Sequence, residues 1–266
     1  MQALLVAALV TAATWDAWRW YVGRVWDSPE EAIALALTVM LLGALGAARR
    51  TEAAAPRSLP LMPVAVLLMA YALSFVALAP IARATIAIAA TLFCLHFAAF
   101  KERPPVAFWG LVALALPVLP SLQFMLGYPM RVVSAALSVG LLQAHGLAIE
   151  RQGTFLVWRG EMIQFDAPCS GVNMLWAGLL LTLMGCVLFR FGAIRVMVAV
   201  AMSLVLAVAT NVLRAASLFY VEAGFIPQAP ASWHEAIGIA AFGLSAAATL
   251  WLLTRLRGRE AIRCAT

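Results

Sequence analysis

Long, uninterrupted apolar runs are the feature that most limits what this chain can fold into. Hydrophobic residues make up 65% of its 266 positions and charged residues only 11%, whereas a soluble domain is roughly half apolar and about a quarter charged. The runs have the length that a helix needs to cross a bilayer, roughly 20 residues. They lack the period-two alternation of an outer-membrane barrel. The sequence therefore predicts an all-α, polytopic integral membrane protein.

Eight apolar segments are predicted to be transmembrane helices, and a ninth segment, 130–146, is ambiguous. The eight are approximately 1–20, 30–48, 59–79, 82–100, 105–122, 172–190, 193–216 and 234–256. The first segment runs into the aromatic stretch Trp15 to Trp20, which is typical of a membrane interface and unlike a cleavage site. We therefore expect it to be a retained first span.

The basic residues orient these segments. With the N-terminus inside and eight crossings, the cytoplasmic loops hold eleven of the 18 basic residues, in line with the positive-inside rule. The eleven are Arg49, Arg50, Arg57, Lys101, Arg103, Arg190, Arg195, Arg255, Arg257, Arg259 and Arg263. This count requires that 130–146 does not cross. Ser134, Ser138 and His145 recur along one face of that segment, so we predict an interfacial amphipathic helix there.

The stretch 147–168 differs from the rest of the chain. Its β-prone residues are interrupted by Gln152-Gly153 and Arg159-Gly160, which predicts a short extracytoplasmic β-hairpin or meander. The stretch leads directly to Cys169. It could be a plain surface loop, a lid or an edge on which a peptide docks.

Three reactive residues, Cys169, Arg214 and His234, lie at the ends of the last three spans. The predicted topology places all three on the outer face. A cysteine and a histidine can act as nucleophile and base, and an arginine can stabilise an oxyanion. The shared face therefore favours acyl transfer through a thioester.

Cys169 precedes the span 172–190, where Asp166 or Ser170 could cap a helix that starts near the cysteine. The positive end of the helix dipole would favour the thiolate. Gly171 would let a substrate or another backbone approach closely. Most cysteines are small buried residues, but the polar surroundings of Cys169 favour the functional interpretation.

Arg214 closes a run that is otherwise almost wholly apolar, and Asn211 lies three residues earlier on the same helical face. An arginine within a membrane is costly and usually has a partner or a task. It could hold a substrate carboxylate or an oxyanion. The alternative is that its side chain simply extends to the interface.

His234 opens the last span, with Gly238 one turn later beside it. Imidazole is the usual general acid and base near neutral pH. A lone histidine is more often an interface or capping residue, and His145 remains a second candidate base. Asp166 and Glu235 are candidates for orienting the histidine.

The residues predict neither a metal site nor a cofactor, because the four cysteines form no ligand cluster. The net charge of +6 reflects cytoplasmic loops and not a nucleic-acid surface. A rival function is a transporter in which Arg214 and Asn211 bind an anionic solute. A third is a non-catalytic membrane component of exopolysaccharide export.

The chain resembles the exosortase/archaeosortase family at Ala167-Pro168-Cys169-Ser170-Gly171, at Asn211-Val212-Leu213-Arg214, and at His234 with Gly238. The order of these residues and the β-prone stretch before the cysteine also fit. The resemblance implies one exosortase-like domain over 1–266, with N-terminal spans in 1–125 and a catalytic half in 126–266. Pro168 stands where the family often has another small residue.

The resemblance also implies an activity. Cys169 would be the nucleophile, His234 the acid/base and Arg214 the transition-state stabiliser, supported by Asn211, Asp166, Ser170, Gly171 and Gly238. The substrates would be secreted proteins with a C-terminal sorting signal of the PEP-CTERM type, which is a short motif, an apolar span and an Arg-rich tail. The enzyme would lie in a bacterial inner membrane, with its site facing the exterior, and would pass the acyl group to a cell-surface acceptor.

Overall fold

A computed structural model describes residues 2–27, 29–48, 59–100, 104–164, 171–226, 230 and 232–263. The helices are α1 (Gln2–Ala13), α2 (Trp15–Asp27), α3 (Pro29–Ala48), α4 (Leu61–Ala77), α5 (Pro80–Phe100), α6 (Val106–Leu114), α7 (Leu119–Ala144), α8 (Val172–Leu188), α9 (Ala193–Glu222) and α10 (Ser232–Arg263). The strands are β1 (Glu150–Gln152), β2 (Phe155–Trp158) and β3 (Glu161–Gln164).

Six of the predicted segments coincide with single helices, namely α3, α4, α5, α8, α9 and α10. Within the described residues, four helices are long and apolar enough to cross a membrane: α5, α7, α9 and α10. Shorter apolar helices are α1, residues 32–45 of α3, α4 and α8. The prediction of a polytopic helical membrane protein is therefore confirmed.

The first predicted span, 1–20, is not one helix. It breaks at Thr14, whose hydroxyl donates to the carbonyl of Val10 at 2.8 Å. The carbonyl of Thr14 accepts hydrogen bonds from the amides of Ala17 and Trp18 at the start of α2. α1 therefore ends at Ala13 and α2 begins at Trp15, with Thr14 between them.

The predicted boundaries around 105–146 are also wrong. The segment 105–122 breaks after α6, because Pro117 lacks the amide hydrogen that would continue the helix. A new helix starts at Leu119, with Pro120 in its first turn, where proline is tolerated. The segment 130–146 is the C-terminal part of this helix, α7, and not a separate interfacial helix.

The polar stripe of α7 faces inward, contrary to the prediction. Ser134 and Ser138 are 3% and 0% exposed, whereas Val133 and Leu137 are 46% and 50% exposed. An interfacial helix would turn its polar face to water. In a membrane span, apolar side chains face lipid and small polar residues pair with neighbouring helices. The pattern of exposure in α7 is that of a span.

The chain divides into two compact units. Unit 1 comprises 1–118 with 186–196, and unit 2 comprises 119–185 with 197–266. In unit 1, α5 is the central helix and packs against α1, α2, α3, α4 and α6. The N-terminal half of the chain thus forms its own core around one buried helix.

In unit 2, a three-stranded antiparallel sheet in the order β1-β2-β3 packs on α7 and α9. Both residues of the β2–β3 turn, Arg159 and Gly160, have positive φ, as a tight hairpin turn requires. Leu156 of β2 is fully buried in a cluster with Leu142 and Phe219. The predicted β-meander is confirmed, and its packing fixes it to the helices that carry the site.

Candidate functional site

Gly171 occupies the N-cap position of α8. Its carbonyl accepts the first helical hydrogen bond, from the amide of Leu175 at 2.9 Å, and its φ of +79° prevents the helix from extending further back. The helix therefore begins at Val172, and the predicted capping by Asp166 or Ser170 falls on residues that the structure does not describe. Asp166, Cys169 and Ser170 lie outside the described residues.

Gly171 lies directly against the side chain of Asn211 in α9. A β-carbon at position 171 would lie 2.6 Å from Cγ and 2.8 Å from Nδ2 of Asn211. Such distances are too short for any side chain, so only glycine fits here. Nothing in the two sequence motifs indicates that Gly171 and Asn211 touch.

Asn211 is itself held from the other side. Its Nδ2 donates to Oγ of Ser134 in α7 at 2.8 Å, and the residue is 1% exposed. One turn further along α7, the Ser138 hydroxyl donates to the carbonyl of Val212 at 3.3 Å. Polar pairs between buried helices fix their register. The serines of α7 therefore position the residue on which Gly171 rests.

Arg214 and Gly238 bring α9 and α10 together. A β-carbon at position 238 would lie 3.6 Å from Nε and 3.7 Å from Nη2 of Arg214. The half-buried guanidinium thus runs across the glycine, where a larger side chain would displace it. Gly238 was predicted to leave room beside the histidine, and the Arg214 side chain occupies that room.

His234 lies one turn before Gly238 and faces the end of α9. Its Nδ1 is 3.8 Å from Oε1 of Glu222, with side chains 46% and 55% exposed. Sequence reasoning missed Glu222 as an acidic neighbour of His234. The only signal was its position at the end of α9, close to the start of α10 in the sequence.

His145, the second candidate base, has a different partner. Its Nδ1 lies 2.9 Å from the hydroxyl of Tyr220, and the pair is exposed. The two rings are tilted at 33° with centroids 6.4 Å apart. Tyr220 belongs to the last turns of α9, so His145 also reaches the end of that helix.

Two close contacts and two helical turns link the described members of the predicted site. Gly171 touches Asn211, which lies one turn before Arg214 on α9. Arg214 touches Gly238, which lies one turn after His234 on α10. Residues three or four apart share a helical face. The same end of unit 2 therefore carries Gly171, Arg214 and His234.

This fold defines a class: a polytopic helical membrane protein with an arginine, a histidine and a buried asparagine gathered at one end of a helical unit. Residues 4–251 match the transmembrane exosortase family. The match covers nearly the whole chain, so the chain belongs to that family. No curated protein and no solved structure is significantly similar to it.

Proposed function

We propose that this chain is a membrane-embedded cysteine protease and transpeptidase, with Cys169 as nucleophile, His234 as acid/base and Arg214 as oxyanion stabiliser. Its substrates are secreted proteins with a C-terminal sorting signal of the PEP-CTERM type, and its acceptor is a cell-surface nucleophile. The single observation that carries the proposal is that Gly171 packs on Asn211 and Gly238 packs on Arg214, with Asn211 and Arg214 one turn apart on α9. Membership of the exosortase family supports the same activity.

Covalent geometry supports the involvement of Cys169. Two residues of chain span at most about 7 Å, and Cys169 precedes Gly171 by two residues. Gly171 is in turn fixed against Asn211, one helical turn from Arg214. A nucleophile tethered this closely reaches a substrate carbonyl that Arg214 also contacts.

The reaction balances without a cofactor. The Cys169 thiolate attacks the scissile carbonyl carbon, and the resulting oxyanion is stabilised by the Arg214 guanidinium. The C–N bond then breaks, and the leaving amine takes the proton that the imidazolium of His234 donates. An acceptor amine or hydroxyl attacks the thioester, gives its proton to His234 and releases the thiolate.

The observed bounds of α6 and α7 are compatible with a site that faces the exterior. Nine residues of α6 span only about 14 Å, and 26 residues of α7 span about 39 Å, whereas the hydrocarbon core is about 30 Å thick. If α7 crosses in place of the segment 105–122, one crossing still separates the basic loop at Lys101 and Arg103 from Cys169. Cys169, Arg214 and His234 then remain on the outer face, as the positive-inside rule proposes.

The test is processing of a co-expressed substrate with a C-terminal signal of this type. We expect Cys169→Ala to abolish processing, because a thioester cannot form. The matched control is Cys94→Ala, which changes a fully buried cysteine of α5 and should leave processing intact. Full processing by Cys169→Ala would contradict the proposal.

The histidines can be separated in the same assay. Loss of a general acid/base typically costs about 100- to 10,000-fold in rate, so His234→Gln should lose processing to that extent. His145→Gln, which removes the partner of Tyr220, should retain most of it. The reverse result would move the base to His145 and leave the cysteine mechanism in place.

A further inference from the structure

Unit 1 contains a cavity that the proposed protease chemistry does not use. Its volume is about 510 Å³, within the usual range for small-molecule sites, roughly 300–1,000 Å³. The lining comes from α2, the C-terminal part of α4 and the first turn of α5. Ala17 and Tyr71, which line it, are also buried in a cluster with Ala87 of α5. The three helices are therefore packed together beside the cavity.

The cavity is positively charged. Among the described residues, its lining includes three arginines, Arg19, Arg24 and Arg83, and one acidic side chain, Asp16. Asp16 lies 3.3 Å from Arg19, and both side chains are largely exposed. The lining therefore keeps a formal excess of two positive charges. Guanidinium groups bind phosphate oxygens through paired, charge-assisted hydrogen bonds.

The wall beside the arginines is aromatic. Trp20, Tyr71 and Phe75 line the cavity, and the guanidinium carbon of Arg83 sits 4.6 Å from the centroid of the Phe75 ring. This cation–π contact holds a long, flexible side chain in one place. A ligand that fits both surfaces carries an anionic group and an apolar part.

The position of the cavity along α5 points to the same ligand. Its lining includes Pro80 and Arg83, at the N-terminal end of a helix long and apolar enough to cross a membrane. The ends of such helices lie at headgroup level, where tryptophan, tyrosine and arginine collect. Lipid phosphates occupy that level.

We propose that this cavity binds the phosphate group of an anionic amphiphile, with Arg24 and Arg83 on the phosphate and Trp20 and Phe75 on the apolar part. The binding site is separate from the residues proposed for peptide cleavage. The same phosphate chemistry could come from a lipid headgroup or from free phosphate, and the experiment distinguishes these sources.

The test uses the purified full-length protein in a neutral detergent and isothermal titration calorimetry. Three probes are titrated: dihexanoyl phosphatidic acid, dihexanoyl phosphatidylcholine and inorganic phosphate. We expect saturable binding of phosphatidic acid and much weaker binding of the other two. Equal binding of inorganic phosphate would overturn the assignment to an amphiphile, and equal binding of phosphatidylcholine would overturn recognition of negative charge.

Two variants locate the site. Arg83→Gln should weaken phosphatidic acid binding by about tenfold, the effect of losing one hydrogen-bonded charge. Asp16→Asn should instead tighten it roughly two- to fivefold, as expected for removing a partly screened opposing charge. A damaged fold could not produce tighter binding, so the second variant keeps the test decisive if the first is unstable.

The matched control is Arg151→Gln, which removes an exposed arginine of β1 whose guanidinium donates to the nearby carbonyl of Gly153. It has the same change in charge and should leave binding unchanged. Equal effects of Arg83→Gln and Arg151→Gln would overturn the proposal. All these variants retain Cys169, Arg214 and His234. A negative binding result would therefore overturn the phosphate site without bearing on the proposed protease activity.

Discussion

Arg214 of unit 2 and Arg83 of unit 1 are both half-buried arginines, yet their surroundings are opposite. Arg214 runs across Gly238, whose missing side chain lets α10 approach it closely. Arg83 rests on the ring of Phe75 and borders a cavity of about 510 Å³. Gly238 lets the backbone of α10 approach the guanidinium of Arg214, whereas the Phe75 ring holds the guanidinium of Arg83 beside the cavity.

The surroundings of Arg214 hold side chains in place, whereas the surroundings of Arg83 leave room for a ligand. In unit 2, Gly171, Asn211 and Ser134 leave no room between them, and Asn211 is 1% exposed. Preorganised polar groups of this kind favour a transition state, because they need not rearrange as charge develops. In unit 1, by contrast, the pair Asp16–Arg19 beside the cavity is largely exposed. Substitutions should therefore be tolerated less well at the packed site of unit 2 than beside the cavity of unit 1.

The largest effect is expected at Gly171. Gly171→Ala adds backbone strain at a positive φ and forces Asn211 away, so we expect a loss of about 2–4 kcal/mol in the free energy of unfolding and a large loss of substrate processing. Gly146→Ala is the control, because Gly146 has φ +85° with nothing within 4 Å of a β-carbon. It should show the backbone cost alone. Equal losses in the two variants, measured by thermal unfolding in detergent, would disprove the tight contact with Asn211.

A smaller effect is expected at Gly238. Gly238→Ala places its β-carbon in ordinary contact with Arg214 and should preserve processing. Gly238→Leu should push the guanidinium aside, with a cost of about 1–3 kcal/mol for overpacking and a clear loss of processing. Gly243→Leu changes the same helix at a position with nothing within 4 Å and should be tolerated. Normal processing by Gly238→Leu would remove Arg214 from the mechanism.

The smallest effects compare one polar pair from each unit. Ser134→Ala removes the buried acceptor of Asn211 and should cost about 1 kcal/mol in the free energy of unfolding. Arg19→Gln breaks an exposed ion pair with Asp16 and should cost less than about 0.5 kcal/mol. If the arginine variant proved the more destabilising in the same unfolding assay, the contrast between the units would fail.

Most of the helical architecture could be predicted, because apolar runs between polar loops leave few alternatives in a membrane. The errors came at local breaks that hydrophobicity does not show. The first segment breaks at Thr14, and Pro117 prevents α6 from continuing. The serines of α7 misled for another reason: a polar stripe reads the same whether it faces water or a neighbouring helix, and only packing against Asn211 and Val212 decided the direction.

Part of the candidate site could be predicted as well. Arg214 and His234 stand out because a polar, reactive side chain at the end of an apolar run is costly without a role. Glu222 could not be found in this way, because nothing local marks it among the other glutamates. Ser134 stood out only as part of a polar stripe, not as a partner of Asn211. Their relevance follows from distances of 3.8 Å to His234 and 2.8 Å to Asn211, which join residues of different helices.

By itself, the sequence determined that this chain is a multi-pass helical protein and that a β-meander precedes Cys169. These properties depend on composition and local periodicity, which can be read directly from the order of the residues. Only the tertiary structure decided that Gly171 rests on Asn211, that Arg214 crosses Gly238, and that three arginines border one cavity in unit 1. Such contacts depend on the rotation of each helix about its axis, and side-chain packing between helices sets that rotation.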